Sequence, residues 1–290
     1  MSKQVHEKFD LRVFALGPKW NGVELLDLPY PVTPHFTPLQ QKIWFNTAIG
    51  VEVEIEQVGR MACHGWEWKL DGSLRNSGME FVTEYGCRVW NFPQRIANLH
   101  KTLNKHFPHR EYTERTSVHV HLDVRRFDEL QLANLLILYT LLEDPLFALC
   151  PPHRRENIFC VPIRESMGLP IFDIWKYVDG YQKYTALNLL CLPAFGTVEF
   201  RHQHGTDQPN ALIPWVLLLS LIKMVAQTID HEQLKGMVSG LKMSSQYDTF
   251  LQTLFGPWAA MIRRSSSLDL SVSDAKFFFN ATKDIIPCAD

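Results

Sequence analysis

The chain has 290 residues, which is long enough to bury a sizeable core in one large domain or two smaller ones. Its net charge of -2 and its isoelectric point near 6.6 argue against a general attraction to nucleic acid or membranes. Six scattered cysteines form no C-x-x-C pair and no zinc-ligand pattern, so we expect reduced thiols in a cytoplasmic protein. The polar first ten residues lack a signal-peptide core, and we interpret the longest apolar run, residues 211–222, as a buried helix too short to cross a bilayer.

The first half of the chain predicts a proline-rich leader, then strands and one helix. The leader, residues 1–46, shows little periodicity and is expected to pack on the core. Alternating apolar residues predict four strands, at residues 47–58, 64–70, 78–84 and 116–124. The D-G dipeptide at residues 71–72 predicts a hairpin between the second and third strands. Apolar residues at helical spacing predict a helix over residues 93–107.

The second half predicts long helices around one further pair of strands. Asp128 is a good N-cap for an apolar helix that we expect to break at Pro145. Residues 151–183 mix proline, glycine and basic residues, and we interpret them as an active-site cover with a short helix at 172–178. The remaining predicted elements are strands at 184–192 and 197–203 and helices at 210–228, 232–238, 247–255 and 273–283.

This order of elements predicts an α+β fold, with a largely antiparallel sheet that has helices on one face and leaves the other face open. The predicted organisation has three parts. The leader comes first, the sheet with its inserted helices spans residues 47–207, and C-terminal helices at residues 208–290 pack on the same domain.

Carboxylates occupy every second position from residue 52 to residue 56 in the first predicted strand. Glu52, Glu54 and Glu56 therefore share one face, where they repel each other unless water solvates them or a cation lies among them. Solvation is the commoner explanation for a single strand of this kind. Three other predicted strands carry polar groups on one face: Glu80, Glu84, His119, His121, Glu199, Arg201 and Gln203. Carboxylates with one or two imidazoles suit Mg²⁺ or Mn²⁺ better than zinc.

Simpler explanations apply to several of these residues taken one at a time. Histidines in strands often have only structural hydrogen bonds, and ion pairs within one strand and turns without function are also common in proteins. They would account for His119, His121, Glu199, Arg201 and Asp71. Asn188 is harder to explain in this way, because a buried amide in an apolar strand needs partners at both ends. Basic pairs at residues 125–126, 154–155 and 263–264 are expected to be solvated.

Six short motifs together resemble the amidoligase family. They are G-V-E-V-E at residues 50–54, D-G-S-L at 71–74, G-M-E-F-V-T at 78–83, S-V-H-V-H at 117–121, Y-T-A-L-N at 184–188 and T-V-E-F-R at 197–201. Each motif is weak alone, but their shared order is fairly specific, and it covers about residues 50 to 207. Amidoligases are carboxylate-amine ligases of the glutamine-synthetase fold, with glutamate-cysteine ligase as a better-known relative.

The resemblance implies a curved sheet whose concave face holds two or three Mg²⁺ ions and the phosphates of ATP. The implied metal ligands are Glu52, Glu54, Glu80, His119 or His121, and Glu199. Arg201 resembles the group that holds the transferring phosphoryl group, and Lys183 and Asn188 complete the implied ATP-binding set. Asp71 resembles a ligand or a substrate-side group. Candidate bases for the incoming amine are Glu56, Asp71 and Asp123.

The implied reaction forms an amide from a carboxylate and an amine, through an acyl phosphate. Three other functions stay open: a phosphotransferase, because guanidino kinases share the sheet architecture, a metal-dependent amide hydrolase, and a non-catalytic binding module. The binding module is disfavoured because all the acidic, histidine and arginine positions are occupied. The expected partners are small-molecule or peptide substrates, without nucleic acid or membrane, and an oligomer is allowed.

Overall fold

The computed structural model describes residues 35–166, 183–241 and 244–262. Within them seven strands form one sheet: β1 (Ala48–Ile55), β2 (Trp66–Lys69), β3 (Met79–Thr83), β4 (Cys87–Arg88), β5 (Ser117–Asp123), β6 (Leu187–Asn188) and β7 (Thr197–His204). The strand order is β2-β3-β1-β5-β7-β6, with β4 paired to the start of β1. All of these strand pairs are antiparallel, as predicted.

The helices surround this sheet. They are α1 (Pro38–Phe45), α2 (Phe92–His106), α3 (Glu129–Ala148), α4 (Ile163–Ser166), α5 (Cys191–Phe195), α6 (Pro209–Thr228), α7 (His231–Ser239), α8 (Ser244–Phe255) and α9 (Ala259–Ile262). Single 3₁₀ turns lie at Val89–Asn91, Pro152–Arg154 and Gly256–Trp258. The α+β class and the antiparallel sheet with helices packed around it are thereby confirmed.

The core lies between one face of the sheet and the two long helices α3 and α6. Alternate residues of β1 and β5, such as Val51, Val53, Val118 and Val120, are fully buried on this face. Both helices are apolar enough, and long enough, to cross a membrane, but 89% and 78% of their most apolar windows are buried inside the structure. They also pack against each other. Their apolar surface is therefore used inside this domain, as predicted for residues 211–222.

Local signals explain where several helices begin, but not where α3 ends. The Asp128 side chain accepts a hydrogen bond of 2.8 Å from the backbone N–H of Gln131, which confirms the predicted N-cap. The predicted break at Pro145 is wrong, because α3 continues to Ala148. A proline costs the helix one hydrogen bond, and burial of nearly the whole last half of α3 outweighs that cost.

The strand predicted at residues 184–192 is mostly wrong. Only Leu187–Asn188 pairs with β7, and the chain then turns into the short helix α5. Gly196 ends α5 with a φ of +66°, a left-handed conformation that favours glycine and that lets β7 begin at once. A short apolar run does not distinguish a strand from a buried helical turn by periodicity.

The leader and the predicted cover are described in part. In α1, Trp44 is buried and donates from Nε1 to the carbonyl of Leu217, 3.0 Å away. Residues 151–166 pack against β7, where the buried Arg154 donates to the carbonyls of Arg201 and His202. The expectation that Arg154 is solvated is therefore wrong. The middle of the cover and the helices predicted at 172–178 and 273–283 lie outside the described residues.

Candidate active site

The register of the sheet sets the predicted ligands side by side on the face opposite the apolar core. Residues directly opposite each other in an antiparallel pair project their side chains to the same side. The cross-strand pairs are Glu54 with Glu80, Glu52 with His119, His121 with Glu199, and Asn188 with Glu199. The predicted metal ligands, with both candidate histidines, therefore come from four adjacent strands and meet on one surface.

The first cluster is formed by Glu52, His119 and Glu199, whose ligand atoms all lie within 4.8 Å of one another. His119 Nδ1 lies 3.1 Å from Glu52 Oε2 and 3.2 Å from Glu199 Oε1. Both His119 and Glu199 are buried, and Glu52 is largely buried. Two buried carboxylates this close to His119 Nδ1 require a positive charge between them, which either a proton or a cation can supply.

Ser117 decides which nitrogen of His119 faces this centre. Its hydroxyl donates to Glu54 Oε2 at 2.5 Å, and the same carboxylate oxygen accepts the backbone N–H of Ser117 at 2.9 Å. Because the hydroxyl hydrogen is used in this way, the Ser117 oxygen accepts a hydrogen bond from His119 Nε2, 2.7 Å away. This tautomer would leave the lone pair of Nδ1 for a cation between Glu52 and Glu199.

His121 lies beside Glu52 on the same face. Its Nε2 lies 3.2 Å from Glu52 Oε1, and its Nδ1 lies 3.1 Å from the hydroxyl of Thr197. Burial alone would lower the pKa of His121, but contacts with Cys191 and Glu52 outweigh burial and raise it to about 10. Burial likewise disfavours the ionised form of Glu52, but the neighbouring imidazoles of His119 and His121 outweigh burial and hold the pKa of Glu52 well below its usual range.

The second cluster is formed by Glu54, Asp71 and Glu80, again with ligand atoms within 4.8 Å of one another. Asp71 reaches it from the hairpin loop between β2 and β3, where its Oδ1 accepts the backbone N–H of Ser73 at 2.6 Å. Burial, and after it the negative charge of Glu52, raise the pKa of Glu80 to about 7. Negative charge is thus in excess at this cluster.

Both clusters fit hard divalent cations. Their donors are mainly carboxylate oxygens, with one imidazole nitrogen in the first cluster, which is the ligand set that Mg²⁺ and Mn²⁺ prefer. Burial and the negative charge of Glu52 raise the pKa of Glu80, and the same conditions favour a cation. A nearby positive charge would relieve the repulsion between the carboxylates. Glu52 and Glu199 would hold a cation with His119, and Glu54, Asp71 and Glu80 would hold another.

Arg201 lies at the edge of the first cluster. Its Nη1 donates to Glu199 Oε1 at 2.5 Å and its Nε donates to the carbonyl of Phe159 at 3.1 Å. The register of β5 and β7 shifts beside Arg201, which marks a β-bulge, and Arg154 holds the carbonyl of Arg201 there. Bulges of this kind reorient side chains next to active sites.

Lys183 and Arg201 approach the same aromatic ring. Lys183 Nζ lies 5.6 Å from the centre of the Tyr184 ring, and Arg201 Cζ lies 5.9 Å from it. Tyr184 is 40% exposed. Two cations around a partly exposed tyrosine give this edge of the site a positive character, which suits phosphate groups.

Asn188 makes the two sets of contacts that its burial requires. Its Nδ2 donates to Glu199 Oε2 at 2.6 Å, and its Oδ1 accepts the backbone N–H of Leu190 at 3.0 Å. The structure therefore places Asn188 as a residue that orients Glu199. In this position it contacts a predicted metal ligand.

Two of the three predicted bases lie away from the clusters. Glu56 is buried, and its two oxygens accept the backbone N–H of Arg75 at 2.6 Å and the hydroxyl of Thr113 at 3.0 Å. It joins the hairpin loop to the loop before β5, so the structure does not support the prediction of a base at Glu56. Asp123 lies at the end of β5, and both of its carboxylate oxygens accept hydrogen bonds from the Arg125 guanidinium. Asp71 alone of the three lies in a cluster.

Sequence reasoning assigned no role to Ser117, Arg154, Tyr184 and Cys191, which contact predicted site residues. Ser117 lies two positions before His119, so the alternation of β5 places it on the polar face and could have identified it. Cys191 lies beside Glu199 only because α5 replaces the expected strand. Arg154 comes from a segment without periodicity, and no local pattern identifies its role.

Comparison with solved structures identifies a similar fold. The crystal structure of a bifunctional glutathione synthetase from Pasteurella multocida matches with a TM-score of 0.50 and 11% sequence identity. The match covers 88% of this chain and 50% of that chain, so the chain spans about half of its length. This likeness shows a similar fold. No protein-family model matches the chain, and no curated protein matches its sequence.

Proposed function

We propose that this protein is an ATP-dependent carboxylate-amine ligase of the amidoligase type, which forms an amide bond and releases ADP. The observation that carries this proposal is the convergence of Glu52, His119 and Glu199 from three strands, with Arg201 bound to Glu199. The second acidic cluster and the order of the six motifs support it. The similar solved structure is a glutathione synthetase, which agrees with synthesis of an amide.

The first step activates a carboxylate, whose oxygen is otherwise a poor leaving group. The carboxylate oxygen attacks the γ-phosphorus of ATP, the bond to the β-phosphate oxygen breaks, and an acyl phosphate and ADP result. Two or three Mg²⁺ ions, held by the two clusters, neutralise charge on the phosphates when bound. Arg201 stabilises the charge of the transferring group, and Lys183 binds phosphate at the same edge.

The second step forms the amide. The amine nitrogen attacks the acyl carbon, the bond to the phosphate oxygen breaks, and inorganic phosphate leaves. The amine must lose a proton in this step, and Asp71 is the predicted base that lies at the site. The hairpin loop would thus bring the amine towards the second cluster. The substrates are small molecules or peptides that carry the two reacting groups, and the free thiols agree with a cytoplasmic location.

A screen of carboxylate and amine pairs for ADP release with Mg-ATP tests the proposal. One pair or more should give amide and ADP in equal amounts, and Glu52→Gln and Glu199→Gln should each reduce ADP release to background. Glu232→Gln, at an exposed carboxylate of α7, is the matched control and should keep full activity. ADP release at the wild-type rate in Glu199→Gln contradicts the assignment of that residue.

The same screen separates the other functions. Hydroxylamine traps an acyl phosphate as a hydroxamate, so ADP release without hydroxamate or amide would indicate a phosphotransferase to another acceptor. Amide cleavage without nucleotide would indicate a hydrolase. Mg-ATP binding without turnover across all pairs would favour a binding module. Each of these results would replace the ligase proposal.

A further inference from the structure

The end of the site next to α5 has a different chemistry from the acidic clusters. Cys191 Sγ lies 3.4 Å from Glu199 Oε2. The ligand atoms of His121, Cys191 and Glu199 all lie within 4.8 Å of one another. The Cys191 and Glu199 residues are 8% and 3% exposed, and the His121 side chain is 13% exposed. A thiol, an imidazole and a carboxylate therefore share one buried position.

Neighbouring side chains orient two of these ligands towards that position. The Thr197 hydroxyl lies 3.1 Å from His121 Nδ1 and so holds the orientation of the ring. Asn188 Nδ2 donates to Glu199 Oε2 and also approaches Cys191 Sγ at 3.6 Å. Polar partners on the far side of metal ligands fix their orientation in this way.

His121 Nε2 has no well-formed hydrogen bond in the part of the chain that the structure describes. It is fully buried, and its approach to Glu52 Oε1 at 3.2 Å lacks hydrogen-bond geometry. A buried polar atom without a partner costs free energy, and such atoms commonly mark the place of a water or an ion. The His121 imidazole, which carries this nitrogen, has a ligand atom within 4.8 Å of those of Cys191 and Glu199.

We propose that His121, Cys191 and Glu199 form a binding site for a borderline-soft divalent cation such as Zn²⁺, beside the positions that suit Mg²⁺. Zn²⁺ favours sulfur and nitrogen donors and commonly takes three protein ligands with one open position, whereas Mg²⁺ avoids thiolates. The site goes beyond the proposed ligase function, with which it shares the ligand Glu199.

Glu199 connects this site to the first cluster. Its Oε1 faces His119 and Arg201, whereas its Oε2 faces Asn188 and Cys191. One carboxylate oxygen is thus directed to each position. The two sites are distinguished by the remaining ligands, because only the position at α5 includes sulfur.

Titration with Co²⁺ in excess Mg²⁺, under reducing conditions, tests the inference. A cobalt–thiolate bond gives an ultraviolet charge-transfer absorption that carboxylate and imidazole ligands do not give. The wild-type protein should develop this absorption at one equivalent of Co²⁺, and Zn²⁺ should displace it. Cys191→Ser should lose it completely, and His121→Asn should need a higher Co²⁺ concentration to reach it.

Two controls keep the test decisive if a variant is poorly folded. Cys87→Ser, at a buried thiol on the other side of β1, should keep the absorption, and so should Glu80→Gln in the second cluster. Circular dichroism checks the fold of each variant. No absorption in the wild type, or the same absorption in folded Cys191→Ser, overturns the inference. Failure of the ligase screen with a normal cobalt band would reject the function and leave this site in place.

Discussion

Glu54 and Glu80 face each other directly across the antiparallel pair of β1 and β3. Like charges in this relationship destabilise a sheet, and Asp71 adds a third carboxylate from the hairpin loop. Burial and the charge of Glu52 raise the pKa of Glu80 to about 7, so a proton relieves part of the repulsion at neutral pH. This part of the sheet is therefore most stable when a cation or a proton neutralises it.

Mg²⁺ should stabilise the folded protein through this pair. At a concentration 100-fold above its dissociation constant, a bound cation raises the free energy of unfolding by about 2.7 kcal/mol. Glu80→Gln should raise the stability of the metal-free protein by about 0.2–1 kcal/mol, because it removes one like charge, and should reduce the Mg²⁺ effect. Urea unfolding with Mg²⁺ and with EDTA measures both. Equal Mg²⁺ effects in the two proteins would contradict a site at Glu80.

The pH dependence of unfolding should report the ionisation of Glu80. Its folded-state pKa of about 7 lies above the ordinary value of 4.5, so the folded protein binds more protons than the unfolded chain between these values. The contribution of Glu80 to stability is present below pH 4.5 and is lost as the pH rises through 7. Without metal, wild-type stability should therefore fall relative to Glu80→Gln across this range.

The measurement is the difference in unfolding free energy between the two proteins at each pH, in EDTA. The other titrating groups largely cancel in this difference, since both proteins contain them. Saturating Mg²⁺ should flatten the curve or reverse its slope, because the cation favours the ionised carboxylate. A difference that grows in favour of the wild type as the pH rises would show that the pKa of Glu80 is lowered instead.

Ser117→Ala should weaken metal binding although Ser117 is not a ligand in either cluster. The hydroxyl holds Glu54 and accepts from His119 Nε2, so its loss releases the imidazole from the orientation that presents Nδ1. Loss of such a supporting contact typically reduces metal affinity by about 10–100-fold. Calorimetric titration with Mn²⁺ measures the affinity, and the ¹⁵N chemical shifts of His119 report the tautomer. Unchanged affinity with a changed tautomer would remove His119 from the ligand set.

Glu56 and Glu52 should respond to mutation in opposite ways. Glu56→Ala leaves the backbone N–H of Arg75 without its acceptor, and such a loss costs about 1–3 kcal/mol of stability. Mn²⁺ affinity should change little in that variant. Glu52→Ala should lose Mn²⁺ affinity in the first cluster and keep most of its stability in EDTA. Urea unfolding and Mn²⁺ titration of both variants check this, and strong loss of Mn²⁺ binding in folded Glu56→Ala would restore Glu56 to the site.

The sequence predicts the ligand strands well because their period is simple. Alternation places Glu52 and Glu54 on the same face of β1, and His119 and His121 on the same face of β5. Antiparallel neighbours with one buried face have little freedom of register. The register then joins residues that lie far apart in the chain. Glu56 shows the limit of the same rule, since its strand ends at Ile55 and its side chain binds two loops.

Contacts that depend on loops and short helices were not predictable. Cys191 reaches Glu199 because the apolar run after Asn188 forms α5, and tertiary packing, not periodicity, decides between a strand and a helix there. Arg154 supports the bulge at Arg201 from a segment with no pattern. The continuation of α3 through Pro145 has the same origin, because burial outweighs local propensity.

Arg201→Lys should reduce turnover strongly while it preserves the charge. The planar guanidinium of Arg201 donates hydrogen bonds to Glu199 and to the carbonyl of Phe159. A lysine ammonium cannot make both contacts in this geometry. Loss of one donor that stabilises transition-state charge typically lowers kcat by about 10²–10³-fold. Arg125 offers a matched control, since it also follows its carboxylate partner by two residues but is 69% exposed, against 9% for the Arg201 side chain. Arg125→Lys should keep kcat within about twofold, because exposed ion pairs contribute little. Steady-state ADP release measures both variants, and equal kcat values in the two would remove Arg201 from the phosphoryl-transfer step.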